Sequence, residues 1–264
     1  MGVLNVTPDS FSDGGKWAST DAAISHAFDL RSQGADLIDV GGESTRPGAG
    51  RVTPAEEQSR VIPVITELTR QGFSISVDTL NSSTAAAAAA AGARIINDVS
   101  GGLADPLMAS VAARSGLTYV AMHWRAHAKE MDDLAVYGDV VAEVRAELSA
   151  RVDALTAAGL PREKIVLDPG LGFSKLPEHN WRLLAQLDVF AGLGLPVMVG
   201  ASRKRFLAAA LPADAQVADR DLPSAVVSVL AAQAGAWAVR VHDVAATRTA
   251  LNVLALADST RMGP

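Results

Sequence analysis

Residues 74–102 read SISVDTLNSSTAAAAAAAGARIINDVSGG, and this stretch decides the fold. An apolar run ends in Asp78, a helical segment with seven consecutive alanines follows, and a second apolar run ends in Asn97. Alanine is the best helix former, and its small side chain lets a helix pack closely against its neighbour. The order of strand, helix and strand predicts a parallel α/β unit.

The same unit recurs along the chain. Apolar, β-rich runs predict strands at 1–6, 36–40, 74–77, 94–97, 117–122, 164–167, 196–199 and 236–241. Helices are predicted between them, among others at 20–33, from Pro54 onward, and at 139–158. Eight such units in 264 residues match the roughly 250 residues of a (β/α)₈ TIM barrel. No linker divides the chain, so we expect a single α/β barrel domain over residues 1–264.

Polar or glycine-rich tips follow the apolar runs. They carry Asn5, Glu43, Asp78, Asn97, His123, Asp168, Ser202, Arg203, Lys204, Arg240 and His242. A barrel gathers the C-terminal ends of its strands at one rim, where active sites lie. Side chains spread from position 5 to position 242 are therefore expected to meet in one pocket.

Composition limits the classes of protein. Hydrophobic residues make up 49% of the chain, yet no apolar run reaches the ~18 residues of a transmembrane helix. The N-terminus, MGVLNV, lacks the features of a signal peptide. The chain has no cysteine, which excludes disulfides and thiolate metal sites and fits a cytoplasmic protein. The net charge of −6 argues against a nucleic-acid partner.

Several common catalytic motifs are absent. The P-loop pattern does not occur, Gly48-Ala49-Gly50 lacks the third glycine of a dinucleotide fingerprint, and GASRK does not fit G-x-S-x-G. His123 and His127 stand four residues apart, but H-E-x-x-H is missing and no metal site is expected there. No nucleophile–base pair stands out, which favours a reaction that needs neither.

Five longer motifs carry a family resemblance: MGVLNVTPDSFSDGG (1–15), ISVDT (75–79), INDVSGG (96–102), LDPGLGF (167–173) and GASRKRF (200–206). From Met1 to Ala257 the sequence resembles the dihydropteroate synthases. The resemblance implies that 6-hydroxymethyl-7,8-dihydropterin diphosphate and p-aminobenzoate condense to 7,8-dihydropteroate and diphosphate, with Mg²⁺. It also implies that sulfonamides bind and that a homodimer forms through the later helices.

This reaction explains why no base is needed. An aryl amine is neutral at pH 7 and is already a nucleophile. The difficult step is the loss of diphosphate from the pterin CH₂ group, which leaves a delocalised cation and a polyanion. A site accelerates it by stabilising both charges and by holding the amine in line. The predicted mechanism is therefore dissociative, with amine attack on a stabilised pterin cation.

The resemblance assigns the pterin ring to a set of polar residues, namely Asp78, Asn97, Asp168, Lys204 and Arg240. A carboxylate accepts the two parallel donors of the pterin edge as a fork, which is the role implied for Asp168. The alternative is that Asp168 only caps the DPGLG turn.

Asp78 is implied to stabilise the developing cation. Its alternative role is the N-cap of the helix through Ser82 and Ser83. The neighbouring Asp39 and Asp98 are interpreted as structural.

Further roles follow from the same resemblance. The implied catalytic residues are Asp13, Asp78, Lys204 and Arg240; diphosphate is assigned to Asn5, Arg46, Ser202, Arg240 and His242, and the metal to Asn5. Arg240 and His242 alternate on the last strand and so face the same side. In TIM barrels the loops after strands 7 and 8 commonly hold phosphate. The alternative for Arg240 is a solvated arginine in a salt bridge.

Two long loops follow the first two strands. Phe11, Ser12 and Asp13 lie in the first loop, and Thr45, Arg46 and Pro47 lie in the second. Both loops exceed the ~2–6 residues of a minimal connection, which predicts mobile lids. The resemblance implies that they close over p-aminobenzoate, in a pocket formed by Phe11, Thr45, Pro47, Phe173 and Lys204. The alternative is a pair of surface loops without function.

Three features depart from the family pattern. The chain begins at the first strand, so the edge of the barrel floor is expected to fray. Arg205 stands where some relatives have serine. Leu222-Pro223 replaces small polar residues, and Pro223 is expected to be the first residue of its helix.

Two other functions remain open. A pterin-binding methyltransferase on the same barrel would share the carboxylates that bind the pterin, but it would not need DSFSDGG, STRPG or SRKRF. A degenerate paralogue would bind pterin without turnover. Such a chain is expected to have lost a loop or an anion-binding residue, and here all of them are present in the sequence.

Overall fold

Parallel strands alternate with helices in the computed structural model, which describes residues 1–7, 16–43, 52–126, 131 and 133–261. For residues 16–19 and 261 it describes the backbone only. The strands are β1 (Gly2–Asn5), β2 (Ile38–Gly41), β3 (Ile75–Asp78), β4 (Ile95–Asp98), β5 (Thr118–Met122), β6 (Ile165–Asp168), β7 (Met198–Val199) and β8 (Ala238–Val239).

Helices connect these strands. They are α1 (Lys16–Ser32), α2 (Pro54–Arg70), α3 (Ser82–Ala90), α4 (Met108–Ser115), α5 (Val140–Ala157), α6 (Pro177–Ala185), α7 (Asp188–Ala191), α8 (Asp221–Gln233) and α9 (Val244–Arg261). Short 3₁₀ segments lie at Arg162–Lys164, Arg205–Ala210 and Ala218–Arg220. None of the helices in these described ranges is long and apolar enough to cross a membrane.

The sheet closes on itself. Strands β1 to β6 pair in sequence order, all parallel, and β7 pairs with β8. Two bridges join these two pieces, Leu167 to Val197 on one side and Gly2 to Val241 on the other. The amide of Val3 adds a bond of 3.0 Å to the carbonyl of Val241. The predicted (β/α)₈ barrel is therefore confirmed.

Hydrophobic side chains form two layers, one inside the barrel and one between the strands and the helices. A small cluster is formed by the inward side chains Met1, Ile95, Val120, Val166 and Met198. Side chains of the opposite parity, such as Ile96 and Leu167, join the larger core between the strands and the helices. Since strand side chains alternate, the residue two places after each inward side chain also faces inward. Asn97 and Asp168 thus continue the inward rows of Ile95 and Val166 into the barrel mouth.

The alanine-rich helix packs as predicted. In α3, Ala85 and Ala88 are fully buried in the larger core. Their lack of rotatable side chains means that burial costs almost no side-chain entropy. The short helix can therefore lie close against the barrel wall between α2 and α4.

The main differences from the predicted elements are at their ends. Strands β7 and β8 are shorter than predicted, and α1 begins four residues before the predicted Thr20. Pro223 is the third residue of α8, not the first as predicted. A proline is tolerated there because the first N–H groups of a helix have no partner within it. Fraying of the floor is also not seen, since Met1 is buried and its nitrogen donates to Val239 O at 3.0 Å.

Candidate active site

Polar side chains gather at the C-terminal ends of the strands, inside the barrel mouth. The register pairs Gly41 with Asp78 and Asp78 with Asn97, so β2, β3 and β4 end at the same level. Met122 pairs with Asp168 in the same way. Strand pairing therefore brings side chains from distant parts of the sequence to one rim, as predicted.

One group of these side chains is tied together by charge, and we term Asp39, Asp78, Asn97 and Arg240 the Arg240 cluster. Arg240 donates through Nε to Asp39 Oδ2 at 2.6 Å and through Nη2 to Asp78 Oδ2 at 2.7 Å. Asn97 donates through Nδ2 to the same Asp39 oxygen at 3.0 Å. Three of these side chains are buried, and Arg240 is 21% exposed. The arginine thus lies across the mouth, held by two carboxylates.

Burial dominates the electrostatics of the Arg240 cluster. Burial raises the pKa of Asp78 to about 7, although the guanidinium of Arg240 favours the ionised form. Burial also lowers the pKa of Arg240, but Asp39 and Asp78 more than offset this effect and its pKa is raised overall. The arginine therefore stays charged, whereas Asp78 can gain or lose a proton near pH 7.

A second group faces the first, and we term Asp168, Leu171, Phe173 and Lys204 the Lys204 cluster. Lys204 donates through Nζ to the carbonyl of Leu171, and the same nitrogen lies 4.4 Å from the centre of the Phe173 ring. Burial lowers the pKa of Lys204 to about 8, and the nearby Asp168 opposes this shift. This lysine is charged at pH 7, but only by a modest margin.

The two carboxylate oxygens of Asp168 have different surroundings. Its Oδ1 accepts from the amide of Gly170 at 2.7 Å, so the turn-capping alternative is correct for one oxygen. Its Oδ2 lies 3.5 Å from where a Cβ would stand at Gly200. Because Gly200 has no side chain, no Cβ fills this place, which also lies 4.0 Å from Lys204 Nζ and from Arg240 Cβ. Burial raises the pKa of Asp168, opposed first by Lys204.

Asp78 does not cap a helix. The residue at the N-cap of α3 is Asn81, and the amide of Ser82 donates to Asp105 Oδ2 at 2.8 Å. The capping alternative for Asp78 is therefore wrong, and its carboxylate is directed to Arg240. The solvated alternative for Arg240 is also wrong, although the arginine does form salt bridges.

Ser202 and His242 form a third group beside the first two. Ser202 Oγ lies 3.0 Å from His242 Nδ1 and accepts from the His242 amide at 3.1 Å. Asn5, at the end of β1, is half-buried on the same rim. Arg203, between Ser202 and Lys204, points away and donates to both oxygens of Asp221, each at 2.7 Å. Arg203 thus fixes the loop after β7 to the start of α8.

His123 does not face the pocket. Its side chain follows the outward parity of β5 and lies 2.9 Å from Glu147 on α5. The expectation that every polar tip enters the pocket is therefore wrong for His123, because alternation along a strand turns every second side chain outward.

Two residues near the mouth were not predicted as site residues. Asp39 was interpreted as structural, yet it bridges Asn97 and Arg240. The parity of β2 was the available signal, since Asp39 alternates with the inward Leu37. Lys175 is buried behind Phe173, and no sequence signal marked it. Asp98, in contrast, accepts from Tyr119, Ser100 and Gly102, as its structural interpretation predicts.

Several predicted residues lie outside the described residues. These are Phe11, Ser12, Asp13, Thr45, Arg46, Pro47 and His127. Glu43 is described and half-buried after β2, at the edge of the second gap. Within the described ranges, no three histidine, aspartate or glutamate side chains come together as a metal site.

The arrangement suits one kind of ligand. Asp168 and Asn97 offer acceptors and donors to a flat polar edge, and Arg240 offers a planar cation beside them. Ser202, His242 and Asn5 offer polar groups to an anion at the side. A molecule with a flat, donor-rich ring at one end and an anionic group at the other matches this distribution.

Comparisons with known proteins agree with this geometry. The family model for pterin-binding enzymes matches residues 1–242. The dihydropteroate synthase of Mycobacterium leprae is 51% identical over 259 residues, covering 96% of this chain and 91% of that protein.

Solved structures are similar over nearly the same length. Xanthomonas albilineans dihydropteroate synthase with 4-aminobenzoic acid matches with a TM-score of 0.91 and 44% identity, over 98% of this chain and 92% of that one. The Yersinia pestis dihydropteroate synthase in a sulfonamide complex matches with a TM-score of 0.91 and 40% identity, over 98% and 94%.

Proposed function

The chain belongs to the dihydropteroate synthases of the pterin-binding enzyme family, and from this premise we propose which of its residues carry the reaction. The reaction joins 6-hydroxymethyl-7,8-dihydropterin diphosphate to p-aminobenzoate and releases diphosphate. We propose that residues 1–264 act as one domain in doing so.

The pterin ring binds between the two clusters. Asp168 Oδ2 accepts from the 2-amino and N3–H edge, while Asn97 and Lys204 complete recognition of the ring. The assignment rests on the different surroundings of the two carboxylate oxygens of Asp168. Oδ1 accepts from the amide of Gly170, and Oδ2 faces the place at Gly200 where no side chain stands. A buried carboxylate oxygen in such a position is stabilised by a ligand donor.

The developing cation is stabilised from the other side. Asp78 lies beside the ring and carries the negative charge that a pterin cation needs, and Arg240 lies against the ring face. The salt bridge between them supports this role, because the guanidinium of Arg240 favours the ionised form of Asp78 against the effect of burial on its pKa. Asp39 supports Arg240 and Asn97 from below.

The diphosphate binds at Ser202, Arg240, His242 and Asn5, with Arg46 from the second loop. Ser202 and His242 are already bonded to each other, which fixes both side chains on this rim. Loss of diphosphate produces a polyanion, and cationic or donor groups fixed in advance stabilise it without reorganisation.

Mg²⁺ is proposed as the metal, held by Asn5 and by the oxygens of the diphosphate itself. The donor set fits, because Mg²⁺ in phosphate sites keeps several waters and uses few protein ligands. A dedicated cage of carboxylates is therefore not required, which agrees with its absence from the described residues. When bound, the ion neutralises charge on the leaving group.

The aryl amine is proposed to bind on the outer side, against Phe173 and Lys204. Support comes from the contact between Lys204 Nζ and the Phe173 ring, which places a cation beside an apolar wall. Phe11, Thr45 and Pro47 complete this pocket from the two loops, and Asp13 acts with them in catalysis. Sulfonamides are proposed to occupy the same place. No base is needed, since the amine attacks as it is.

Diphosphate release tests the proposal directly. Wild-type protein with Mg²⁺ and the pterin diphosphate is expected to release diphosphate and, with p-aminobenzoate, to form dihydropteroate. Pterin binding without release would instead favour a silent paralogue. Methyl transfer from methyltetrahydrofolate would favour the methyltransferase.

The order of events is tested by calorimetry. If diphosphate helps to order the loops of Asp13 and Arg46, a sulfonamide should bind weakly to the free protein and more tightly with Mg²⁺ and diphosphate. We expect coupling of about 1–3 kcal/mol. An equal affinity in both conditions would contradict this mechanism.

A homodimer is proposed through α8 and α9. The support is a group of exposed apolar side chains on these two helices: Leu222, Val226, Leu230, Val253 and Leu256. Exposed apolar side chains gathered on two helices that pack together are typical of an interaction site. Val253→Glu is expected to give monomers in sedimentation, whereas Leu107→Glu, at a position equally exposed at 63%, should not.

We also propose a cytoplasmic location, which the lack of cysteine fits.

A further inference from the structure

Lys175 is a buried lysine whose side-chain partners, among the described residues, are a ring nitrogen and a carbonyl oxygen. Its Nζ lies 2.9 Å from His123 Nδ1 and donates to the carbonyl of Phe173 at 3.0 Å. The side chain is only 7% exposed. Burial, and next the charge of Lys204, lowers the pKa of Lys175 well below its ordinary value, which shows that a charge is costly at this place; an apolar side chain of the same length would avoid that cost. The use of lysine here therefore calls for a reason beyond stability.

Lys175 stands at the end of a chain of side chains that starts at the surface. His123 Nε2 lies 2.9 Å from Glu147 Oε2, and Glu147 is paired with Arg125. Arg125 is itself fixed by Glu143 at 3.1 Å and by its position 3.9 Å from the centre of the Tyr137 ring. With Glu147 accepting from Nε2, His123 offers Nδ1 as an acceptor to Lys175. Burial, and next the charge of Lys175, lowers the pKa of His123 to about 4, so the ring is neutral at pH 7.

The other end of this chain is the loop between β6 and α6, residues 169–176. Lys175 holds the carbonyl of Phe173, and Tyr137 donates to the carbonyl of Ser174 at 3.0 Å. Ser174 has φ of +46°, a strained value for a residue with a side chain. A strained backbone persists only where its surroundings hold it. The bonds from Lys175 and Tyr137 do so on both sides of the strain.

The loop held in this way builds part of the Lys204 cluster. Leu171 supplies the carbonyl that accepts from Lys204, and Phe173 supplies the ring beneath the same nitrogen. Displacing the loop would move the acceptor and the ring together. We propose that Lys175, through His123 and Glu147, is a positioning residue that sets Phe173 and Lys204 for the aryl amine. This inference rests on the proposed place of p-aminobenzoate at Phe173.

The test is Lys175→Met, which keeps the length of the side chain and removes the donor. We expect the KM for p-aminobenzoate to rise about tenfold, the effect of losing one hydrogen bond that holds the pocket wall at Phe173. The KM for the pterin diphosphate should rise less, because Asp168 and Asn97 stand on strands β6 and β4. Among the described residues, only the Gly170 amide and Lys204 link the pterin site to the loop. The melting temperature should change little, because removal of a poorly stabilised buried amine offsets the loss of a donor to the Phe173 carbonyl and to His123 Nδ1.

Two controls separate positioning from a general defect. Lys164→Met, just before the other end of β6, should leave both KM values unchanged. His123→Asn keeps an acceptor near Nδ1 and should retain most of the p-aminobenzoate affinity, whereas His123→Leu should behave like Lys175→Met.

The possible outcomes are distinct. Unchanged KM values in folded Lys175→Met, or an equal rise of both KM values with a lower melting temperature, would overturn the inference. Wild-type protein that releases no diphosphate would instead contradict the assigned activity. In that case calorimetry of p-aminobenzoate in Mg²⁺ and diphosphate still compares wild type with Lys175→Met, and equal affinities would overturn the inference.

Discussion

The Arg240 cluster and the Lys204 cluster face each other across one mouth, but they are held in different ways. In the first, side chains from β2, β3, β4 and the residue after β8 bind one another directly, with bonds of 2.6–3.0 Å. In the second, a lysine binds a loop carbonyl and a loop aromatic ring. The first cluster is fixed by the barrel itself, whereas the second depends on what fixes the loop. Substitutions should therefore affect them differently.

Arg240→Ala is expected to have the largest effect. It leaves Asp39 and Asp78 buried without their cation, which costs about 3–5 kcal/mol of unfolding free energy, and it removes a group from both the pterin and the diphosphate. Denaturant unfolding and turnover should both report the loss. Adding Asp78→Asn should restore part of the stability but none of the turnover. A stable and active Arg240→Ala protein would show that the cluster is not held by charge.

Asp168→Asn should abolish useful turnover while the fold stays intact. Asparagine keeps an oxygen for the Gly170 amide but presents a donor to the donor edge of the pterin. The lost charge-assisted bond and the unpaired donor together are expected to lower kcat/KM by roughly two to four orders of magnitude. Circular dichroism and thermal melting check the fold. A folded variant with nearly normal kcat/KM would refute the proposed pterin edge.

The pH dependence of activity and of stability tests the Lys204 cluster. Because the pKa of Lys204 is lowered to about 8, its charge is lost as the pH rises through 8, and kcat/KM should fall there. Stability should change in the opposite direction. The fold favours neutral Lys204, so the unfolding free energy should rise between pH 8 and the ordinary lysine value of 10.5. Lys204→Arg should move the activity loss to higher pH, and an unshifted profile would assign it to another group.

The smallest expected effect is that of Gly172→Ala. A Cβ at Gly172 would lie 2.7 Å from Lys204 Cδ, at φ of +78°, so the lysine has to move. The matched control is Gly72→Ala, at φ of +76° with no atom within 4 Å of the added Cβ. Both variants should lose about 1–3 kcal/mol of stability from backbone strain. Only Gly172→Ala should also raise the KM for p-aminobenzoate. Equal kinetics in the two variants would show that the position of Lys204 does not depend on the loop.

Much of the site was predictable because strand parity and strand ends are local properties. Asp78, Asn97, Asp168 and Arg240 each end an apolar run, and closure of the barrel brings them together. The family resemblance then supplied their roles. His123 met the same criterion and was wrongly expected in the pocket, because its parity is the outward one.

The sequence by itself determined the barrel, since eight apolar runs alternating with helices leave few other ways to bury their faces. It also determined which residue types stand at the rim. Only the tertiary structure decided which charges pair, because Arg240 meets Asp39 and Asp78 across 201 and 162 residues of sequence. It likewise decided that Lys175 contacts His123, 52 residues away. Periodicity is a property of one element. The partner of a buried charge depends instead on which elements come into contact when the barrel closes.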